Sequence, residues 1–461
     1  MELQDRKEIG ENIAYLIKAG EVATVKNIII DTHPADLADI IRDLDEDDRA
    51  FLFDLFDPQT ASDVLTELDE VSREQIVEKL GTERISEIVD EMDSDDAADF
   101  VAELPDDVAK KVLSQIDVRD RIEVEKLLGH HEETAGGIMG MEFVAVYDDE
   151  IVDDAIREIR QKSQEVENVY NVYAIDRDRH LTGVISLKKL ILSHPKSLIK
   201  DIMYKDVISV TTDMDQEQVA NVVRKYDLVS MPVVDKQNRL VGRITIDDIV
   251  DVLQEEATED LQRMAGISEE EILQEMSAFR ISRFRLPWLT VAFMGEIVAA
   301  LVLSRFAHTF QNLMAITWFV PAIMAMGGNS GIQASTIVVR SLALAEGGTT
   351  DWMGRVAREL KVGLLNGTLI GLYIFAFTRI LSVVPNLKID VSIEFGLVIS
   401  LAMLLVIIMA ALVGSVMPII LSKLKFDPAI ATGPFITTSN DVFGLLIYLL
   451  LATSYLKWFR H

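Results

Sequence analysis

"GPFITTSNDVFGLLIYLLLATSYL", residues 433–456, has the length and apolarity of a membrane-crossing helix, yet it carries Asp441 and no Lys or Arg. A carboxylate at the bilayer centre costs about 3 kcal/mol or more. It is therefore held inside a helical bundle or beside a water-filled path, and by default it marks function. Thr437 and Asp441 are four residues apart and share a face, which Gly444 continues.

Working outward, residues 287–456 read as membrane. Apolar runs predict five spans, at about 287–305, 313–338, 362–384, 393–421 and 429–456. An odd number places the two ends of the chain on opposite sides. Arg280, Arg283 and Arg285 precede the first span, and Arg340, Arg355, Arg358, Lys361, Lys423 and Lys425 fall on the same side. Fewer bases fall opposite, so the bias makes the N-terminal half cytosolic. The second span holds "PAIMAMGGNSGIQASTIVV" (321–339), where Gly327, Gly328 and Gly331 loosen the helix and Asn329 and Gln333 share a face. Irregular backbone at this depth survives only when packed in protein or lining water. These residues either pack helices through small contacts and amide bonds or line a pore with Thr437 and Asp441. Glu296 in the first span either lines the same path or packs between helices. Asp427, before Pro428, stands at the cytosolic start of the last span.

The preceding 286 residues are a different material. They hold 33 bases and 67 acids, against 11 and 8 in residues 287–461, and the whole chain carries a net charge of −31. Phosphate recognition needs a basic surface, so nucleic acid is excluded as a partner, and cations are favoured. There is no cysteine, hence no disulfide and no thiolate site. The polar, acidic start is not a secretory signal. Without a Walker A stretch, ATP-driven pumping by this chain is not expected, and no nucleophile–base pair speaks for an enzyme. His130 and His131 are adjacent and lack zinc spacing, and "DLDEDDRAFLFDLFD" (43–57) lacks the EF-hand glycine and spacing.

Two repeats organise this half. "PADLADIIRDL" (34–44), "PQTASDVLTEL" (58–68), "TERISEIVDEM" (82–92) and "PDDVAKKVLSQI" (105–116) recur at 24 residues, the last one residue short. Each unit has room for two short helices, and such units stack into a helical solenoid. Pro, Thr and Asp at the starts suit first-turn and capping positions. "GIMGMEFVAVYDDEIVDDAIREI" (137–159) and "DIMYKDVISVTTDMDQEQVANVV" (201–223) lie 64 residues apart, with matching tails "HLTGVISLKKLI" (180–191) and "RLVGRITIDDIV" (239–250). This pair resembles tandem CBS domains, which implies a regulatory α/β module that takes adenine nucleotides or ions. "LQEEATEDLQRMAGISEEEILQEM" (253–276) is a long acidic helical pattern joining it to the membrane.

The expected order is a helical solenoid over 1–132, CBS copies at 133–200 and 201–252, a connecting helix at 253–283 and an all-α five-helix transmembrane domain at 284–461. It is similar to that of the MgtE-type magnesium channel/transporter family. "GGNSGIQAST" (327–336), "FDPAIATGP" (426–434), "TTSNDVFG" (437–444), "DSDDAADFVAEL" (93–104), "EETAGGIM" (132–139) and "EEATEDL" (255–261) carry the likeness. Ile332 departs mildly from it. The resemblance implies a homodimer in the plasma membrane with a pore on its two-fold axis. It also implies passive Mg²⁺ uptake, Asp441 as the pore acid, Asp427 as the cytosolic-mouth acid and the 327–331 glycines near the pore. It further implies closure by cytosolic Mg²⁺ bound at Asp63, Asp95, Asp99, Asp215, Glu217, Asp227, Asp248, Asp251, Glu256, Glu259 and Asp260, with the connecting helix as plug. Asp63 stands where relatives carry Glu.

Elementary electrostatics reaches a compatible gate. Asp95 with Asp99, Asp248 with Asp251, and Glu256 with Glu259 and Asp260 each share a helix face. Faces of like charge repel, and divalent cations between them favour a compact state by linkage. An oxygen-only donor set suits a hard cation such as Mg²⁺ and does not by itself separate it from Mn²⁺ or Ca²⁺. The competing expectation is a membrane-tethered Mg²⁺ sensor that signals to a partner without ion flux.

Overall fold

The computed structural model describes residues 3–162, 166, 169–265, 267, 278–307, 315–343, 352–383, 391–431 and 433–459. The chain divides into two compact units, residues 1–255 and 256–461.

The first unit opens with ten helices: α1 (Leu3–Ala19), α2 (Val22–Asp31), α3 (Pro34–Asp43), α4 (Glu46–Phe53), α5 (Pro58–Thr66), α6 (Glu70–Val77), α7 (Thr82–Val89), α8 (Ser94–Glu103), α9 (Asp106–Gln115) and α10 (Val118–Leu127). The 24-residue period is therefore two helices per repeat, as the spacing predicts. Helix starts follow local chemistry. Asp45, Asp57 and Asp69 each accept a hydrogen bond from the backbone N–H three residues on, and Pro34 and Pro58 sit in the first turn. The odd-numbered helices α1, α3, α5, α7 and α9 pack successively, as do α4 on α6 and α8 on α10. Leu37, Ile41, Leu52, Phe53, Val64, Leu65, Ile85 and Val101 form the core between them.

Two sheets of the same topology follow: β1 (Ala145–Tyr147), β2 (Asn171–Ile175) and β3 (Leu181–Ser186), then β4 (Val210–Thr211), β5 (Ser230–Val234) and β6 (Leu240–Thr245). In each, the first strand pairs parallel with the second and the second antiparallel with the third. The irregularity at Ala174/Ile175 recurs at Val233/Val234. The helices α11 (Val152–Lys162) and α14 (Gln216–Tyr226) keep the 64-residue offset, whereas β2 and β5 are offset by 59, so the first copy has five more residues between helix and second strand. Leu181 N–H donates to Asn238 O at 3.0 Å, and Leu240 N–H donates to Arg179 O at 3.1 Å. These reciprocal bonds join the copies as a pseudo-symmetric pair, and buried Tyr173 Oη lies 2.7 Å from Ser230 Oγ. Short helices α12 (Leu187–Leu192) and α13 (Ile199–Ile202) lie between the copies.

The solenoid and the second copy share one hydrophobic cluster, with Leu127, Ala135, Met139, Val219 and Ile244 among its members. The turn between them is tight. A side chain at Gly136 would lie 2.9 Å from Thr212 O, and one at Gly137 would collide with the backbone of His131 and Glu132. After β6, α15 runs unbroken over Ile246–Ala265. Of the connection expected at 253–283, residues 253–265 thus continue the second copy's last helix. Residues 268–277 lie outside the described part.

The second unit is helical: α16 (Ala278–Arg305), α17 (Ala315–Ala343), α18 (Trp352–Val383), α19 (Ile393–Lys423), a 3₁₀ turn at Pro428–Ala431 and α20 (Pro434–Phe459). Among the described residues, four helices are long and apolar enough to cross a membrane: Ile281–Arg305, Trp352–Leu381, Ile393–Lys423 and Pro434–Trp458. The second expected span forms a 29-residue helix, but it is not one of these four. Its Gly-Gly-Asn-Ser-Gly stretch and Gln333 dilute the apolar composition. Helix α19 packs against α17, α18 and α20. Gly363, Gly367 and Gly371, one turn apart on α18, meet Ala411, Leu404 and Ser400 of α19, and Gly414 of α19 meets the backbone of Gly331. Small residues here let backbones approach closely, the usual basis of helix association in lipid.

Candidate cation sites

Acidic side chains gather where the solenoid faces the second sheet copy. Helix α8 supplies Asp95, Asp96 and Asp99, preceded by Asp93; α15 supplies Asp247, Asp248 and Asp251; the chain between solenoid and sheets supplies Glu142. A Cβ at Gly140 would stand 3.2 Å from Asp95 Oδ2 and 3.1 Å from Glu142 Oε2, so both carboxylates close on this residue. Ser94 ties the arrangement together. Its N–H and hydroxyl donate to Glu142 at 3.0 and 2.9 Å, and its oxygen accepts from Met141 N–H at 2.8 Å. Asp248 caps its own helix start, accepting from Thr245 N–H at 2.8 Å and Thr245 Oγ1 at 2.6 Å.

Crowding has a clear electrostatic signature. Burial, with Asp248, Asp96 and Glu142 adding, holds the Asp95 carboxyl well above the ordinary range. Burial and then Asp248 and Asp93 raise Asp96 to about 7. Burial, Glu132 and Glu103 raise Asp99 to about 6. Asp248 reaches about 6 through burial, against the lowering effect of its Thr245 donors. Glu142, Asp93 and Asp251 are also raised, chiefly by burial. Groups in this condition favour neutralisation by protons or cations.

The belt brings together Asp95, Asp99, Asp248 and Asp251 of the expected residues. Asp63 reaches it only at the rim: it raises Asp93 electrostatically and accepts from Gln59 Nε2 at 3.0 Å. Asp215 and Asp227 have local roles at the two ends of α14. Asp215 accepts from Glu217 N–H at 3.1 Å and Gln218 N–H at 3.4 Å, and Asp227 closes the helix in the left-handed region at φ 51°. Glu217 lies in the first turn of that helix. Asp93, Asp96, Glu142 and Asp247 were not singled out by sequence. The first two flank or interrupt a face already chosen, and Glu142 lies 43 residues past Asp99 with no periodic cue. Among the described residues, Asp176, Asp178 and His180 form the one group of three whose ligand atoms all lie within 4.8 Å of one another, at the turn between β2 and β3.

In the second unit, Glu256, Glu259 and Asp260 occupy the continuation of α15. Asp260 is raised to about 6 by burial, Asp427 and Glu256. Asp427 does not stand as an open acid: Arg263 Nη1 donates to its Oδ2 at 2.6 Å, and Arg263 also pairs with Glu259. That basic partner, 164 residues away in sequence, had no sequence signal.

Asp441 is 7 % exposed and Asn440 fully buried. The carboxyl groups of Asp441 and Glu296 lie within hydrogen-bonding reach of each other. Glu296 is otherwise exposed on α16, whose neighbour Gly295 abuts Thr438. The Asn440 amide makes no hydrogen bond and packs on Gly331. Gly327 faces Val406 and Asn440, and Gly328 lies 3.7 Å, from an added Cβ, to Thr437 Cγ2. Thr437 Oγ1 donates to Gly433 O at 3.4 Å. Asn329 and Gln333 sit one turn apart on an exposed face of α17. The 327–331 glycines thus bring α17 against the Asp441 helix, while Asn329 and Gln333 point away from that seam.

Three family models match: the MgtE intracellular N domain over residues 32–133, the CBS domain over 199–255, and the MgtE divalent cation transporter over 320–451. The magnesium transporter MgtE of Enterococcus faecalis is 36% identical over 338 residues, covering 73% of this chain and 72% of the relative. That of Thermus thermophilus is 34% identical over 337 residues, 73% of each. Among solved structures, the soluble part of a magnesium transporter matches at 31% identity with a TM-score of 0.51, covering 55% of this chain and 99% of the other. The cytosolic domain of the Mg²⁺ channel MgtE in complex with ATP matches at 32% identity and TM-score 0.51, covering 53% and 99%.

Proposed function

Because the chain belongs to the MgtE family of divalent cation transporters, we propose that it is a homodimeric, passive Mg²⁺ channel, closed by Mg²⁺ on its cytosolic acids. In this reading α17 is a fifth span, its glycines seated on α19 and α20 and its Asn329 and Gln333 left facing the dimer partner. The soluble domains 1–132, 133–200 and 201–252 face the cytosol with the residues of the 253–283 connection, which acts as plug.

The observation that carries the reading is the setting of Asp441. A buried carboxyl within a spanning helix stands beside an amide without a hydrogen-bond partner, near a second carboxyl and against a glycine-lined helix. Lipid offers no reason to keep such a group, whereas a hydrated divalent cation does. Asn329, Gln333 and Thr437 are the proposed wall. Helix α16 supports the dimer, since only 6% of its apolar window is buried within the chain. Mg²⁺ uptake into proteoliposomes tests the proposal: D441A is expected to abolish uptake, and undiminished flux would remove the pore assignment.

For the gate, the proposed ligands are Asp95, Asp99, Asp248 and Asp251, with Asp96 and Glu142 added by their place in the belt. Asp63, Asp215, Glu217 and Asp227 have outlying roles, and Glu256, Glu259, Asp260 and Asp427 act at the mouth. Raised carboxyls facing one another across solenoid and sheet support cation-driven closure. The same belt is what a sensor without flux would need. Rescue of growth in a strain lacking Mg²⁺ uptake separates the two, since a sensor gives none. The relative's ATP complex supports adenine nucleotide as a ligand of the CBS pair, and changed Mg²⁺ sensitivity of flux on adding ATP would test this.

A further inference from the structure

Arg263 is the basic residue in the last turn of α15, where a cation also suits the helix dipole. It is placed among acids. Its Nη1 donates to Asp427 Oδ2 at 2.6 Å, and its guanidinium pairs with Glu259 one turn earlier. Asp427 divides its two oxygens: Oδ1 accepts from Ala429 N–H at 2.8 Å, fixing the 3₁₀ turn, and Oδ2 takes the arginine. The backbone closes on the same place. A Cβ at Gly433 would stand 2.9 Å from Met264 O, so the end of α15 lies directly on the first residues of α20. Asp260, one turn from Glu256, feels the charge of Asp427.

We propose that Arg263 is a built-in countercation: it latches the end of α15 onto Asp427 when no divalent cation is present, and yields that carboxylate when one binds. The cation part rests on the reading of Asp427 as a mouth ligand; the latch part rests only on the ion pair and the Gly433 contact. A guanidinium and a divalent ion cannot both hold Oδ2, so they alternate there. Metal that takes Oδ2 therefore displaces the arginine, and the hold it gives on α15 replaces the latch and does not add to it.

Hydrogen exchange of the 256–265 amides, read by mass spectrometry on the full chain in detergent, tests this without requiring flux. In chelator, R263Q is expected to exchange about two- to five-fold faster than the parent, the factor an ion pair of this exposure contributes. R263K is expected to fall between them. In saturating Mg²⁺ the parent and R263Q converge, so the ratio of chelator to Mg²⁺ rates grows in R263Q. D427N alone should match R263Q in chelator, and the double variant should add nothing. Equal rates for parent and R263Q in chelator would overturn the latch. So would acceleration by R263Q that persists in the D427N background, since that traces the effect to the Glu259 pair within the helix. Failure of D441A to stop uptake would sink the pore reading and leave these exchange results standing.

Discussion

Two of the acidic sites of this chain handle charge in opposite ways. In the soluble unit, Asp93, Asp95, Asp96, Asp99, Glu142, Asp247, Asp248 and Asp251 crowd one interface, each partly relieved by solvent or by a hydroxyl or amide donor. In the membrane unit, Asp441 has one carboxyl neighbour, Glu296, and is 7 % exposed. Where water is near, many acids share a graded, collective response and each is partly replaceable. Where it is not, one acid and the single carboxyl beside it carry the whole demand for a counterion.

The largest expected effect follows from that contrast. D441A, or D441N, should reduce Mg²⁺ flux to background while leaving Mg²⁺-dependent protease protection of residues 1–275 intact. Partial flux would place the membrane acid in the collective class. Next comes packing. G414L or G331L forces a side chain into the α17–α19–α20 seam and should cost about 3 kcal/mol or more, seen as lower thermal stability of the detergent-solubilised chain. A neutral result would mean the spans associate without backbone approach.

Acidity should separate the two sites further. Asp95, Asp96, Asp99 and Asp248 are raised above their unfolded value, two of them to about 6 and Asp96 to about 7. A folded carboxyl with a raised pKa binds more protons than the unfolded chain, so stability falls as pH rises. The soluble unit in chelator should therefore be most stable near pH 4–5 and lose a few degrees of Tm, about 4 °C, by pH 7.5. Saturating Mg²⁺ should flatten the profile, and a flat profile in chelator would deny the crowding. D96N should increase protease protection in chelator by a few-fold and shrink the response to Mg²⁺, because it removes about 1 kcal/mol of repulsion. The smallest effect belongs to D63N, whose group sits at the rim: its Mg²⁺ midpoint should move less than about two-fold.

Much of this was legible in sequence where the signal is local. The 24-residue period, the Asp and Pro helix starts and the matched tails of the two sheet copies all depend on near neighbours, and the structure realises them. Asp95, Asp99, Asp248 and Asp251 were legible as faces, because helical spacing fixes faces. Asp96 and Glu142 were not, since which edge of α8 meets the second sheet is settled by tertiary packing. The Arg263–Asp427 pair joins residues far apart in the chain and leaves no periodic trace. The second span was legible as a helix but falls short on apolarity, because the features that seat it on its neighbours are polar and small.

The unbroken course of α15 carries a mechanical corollary. From Ile246 to Ala265 it is 20 residues, a rod of about 30 Å, with a threonine-capped carboxylate at one end and a guanidinium clasp at the other. Nothing in that length is built to swivel, for it holds neither proline nor glycine. Such a rod resists bending and twisting along its own length, as a driveshaft does.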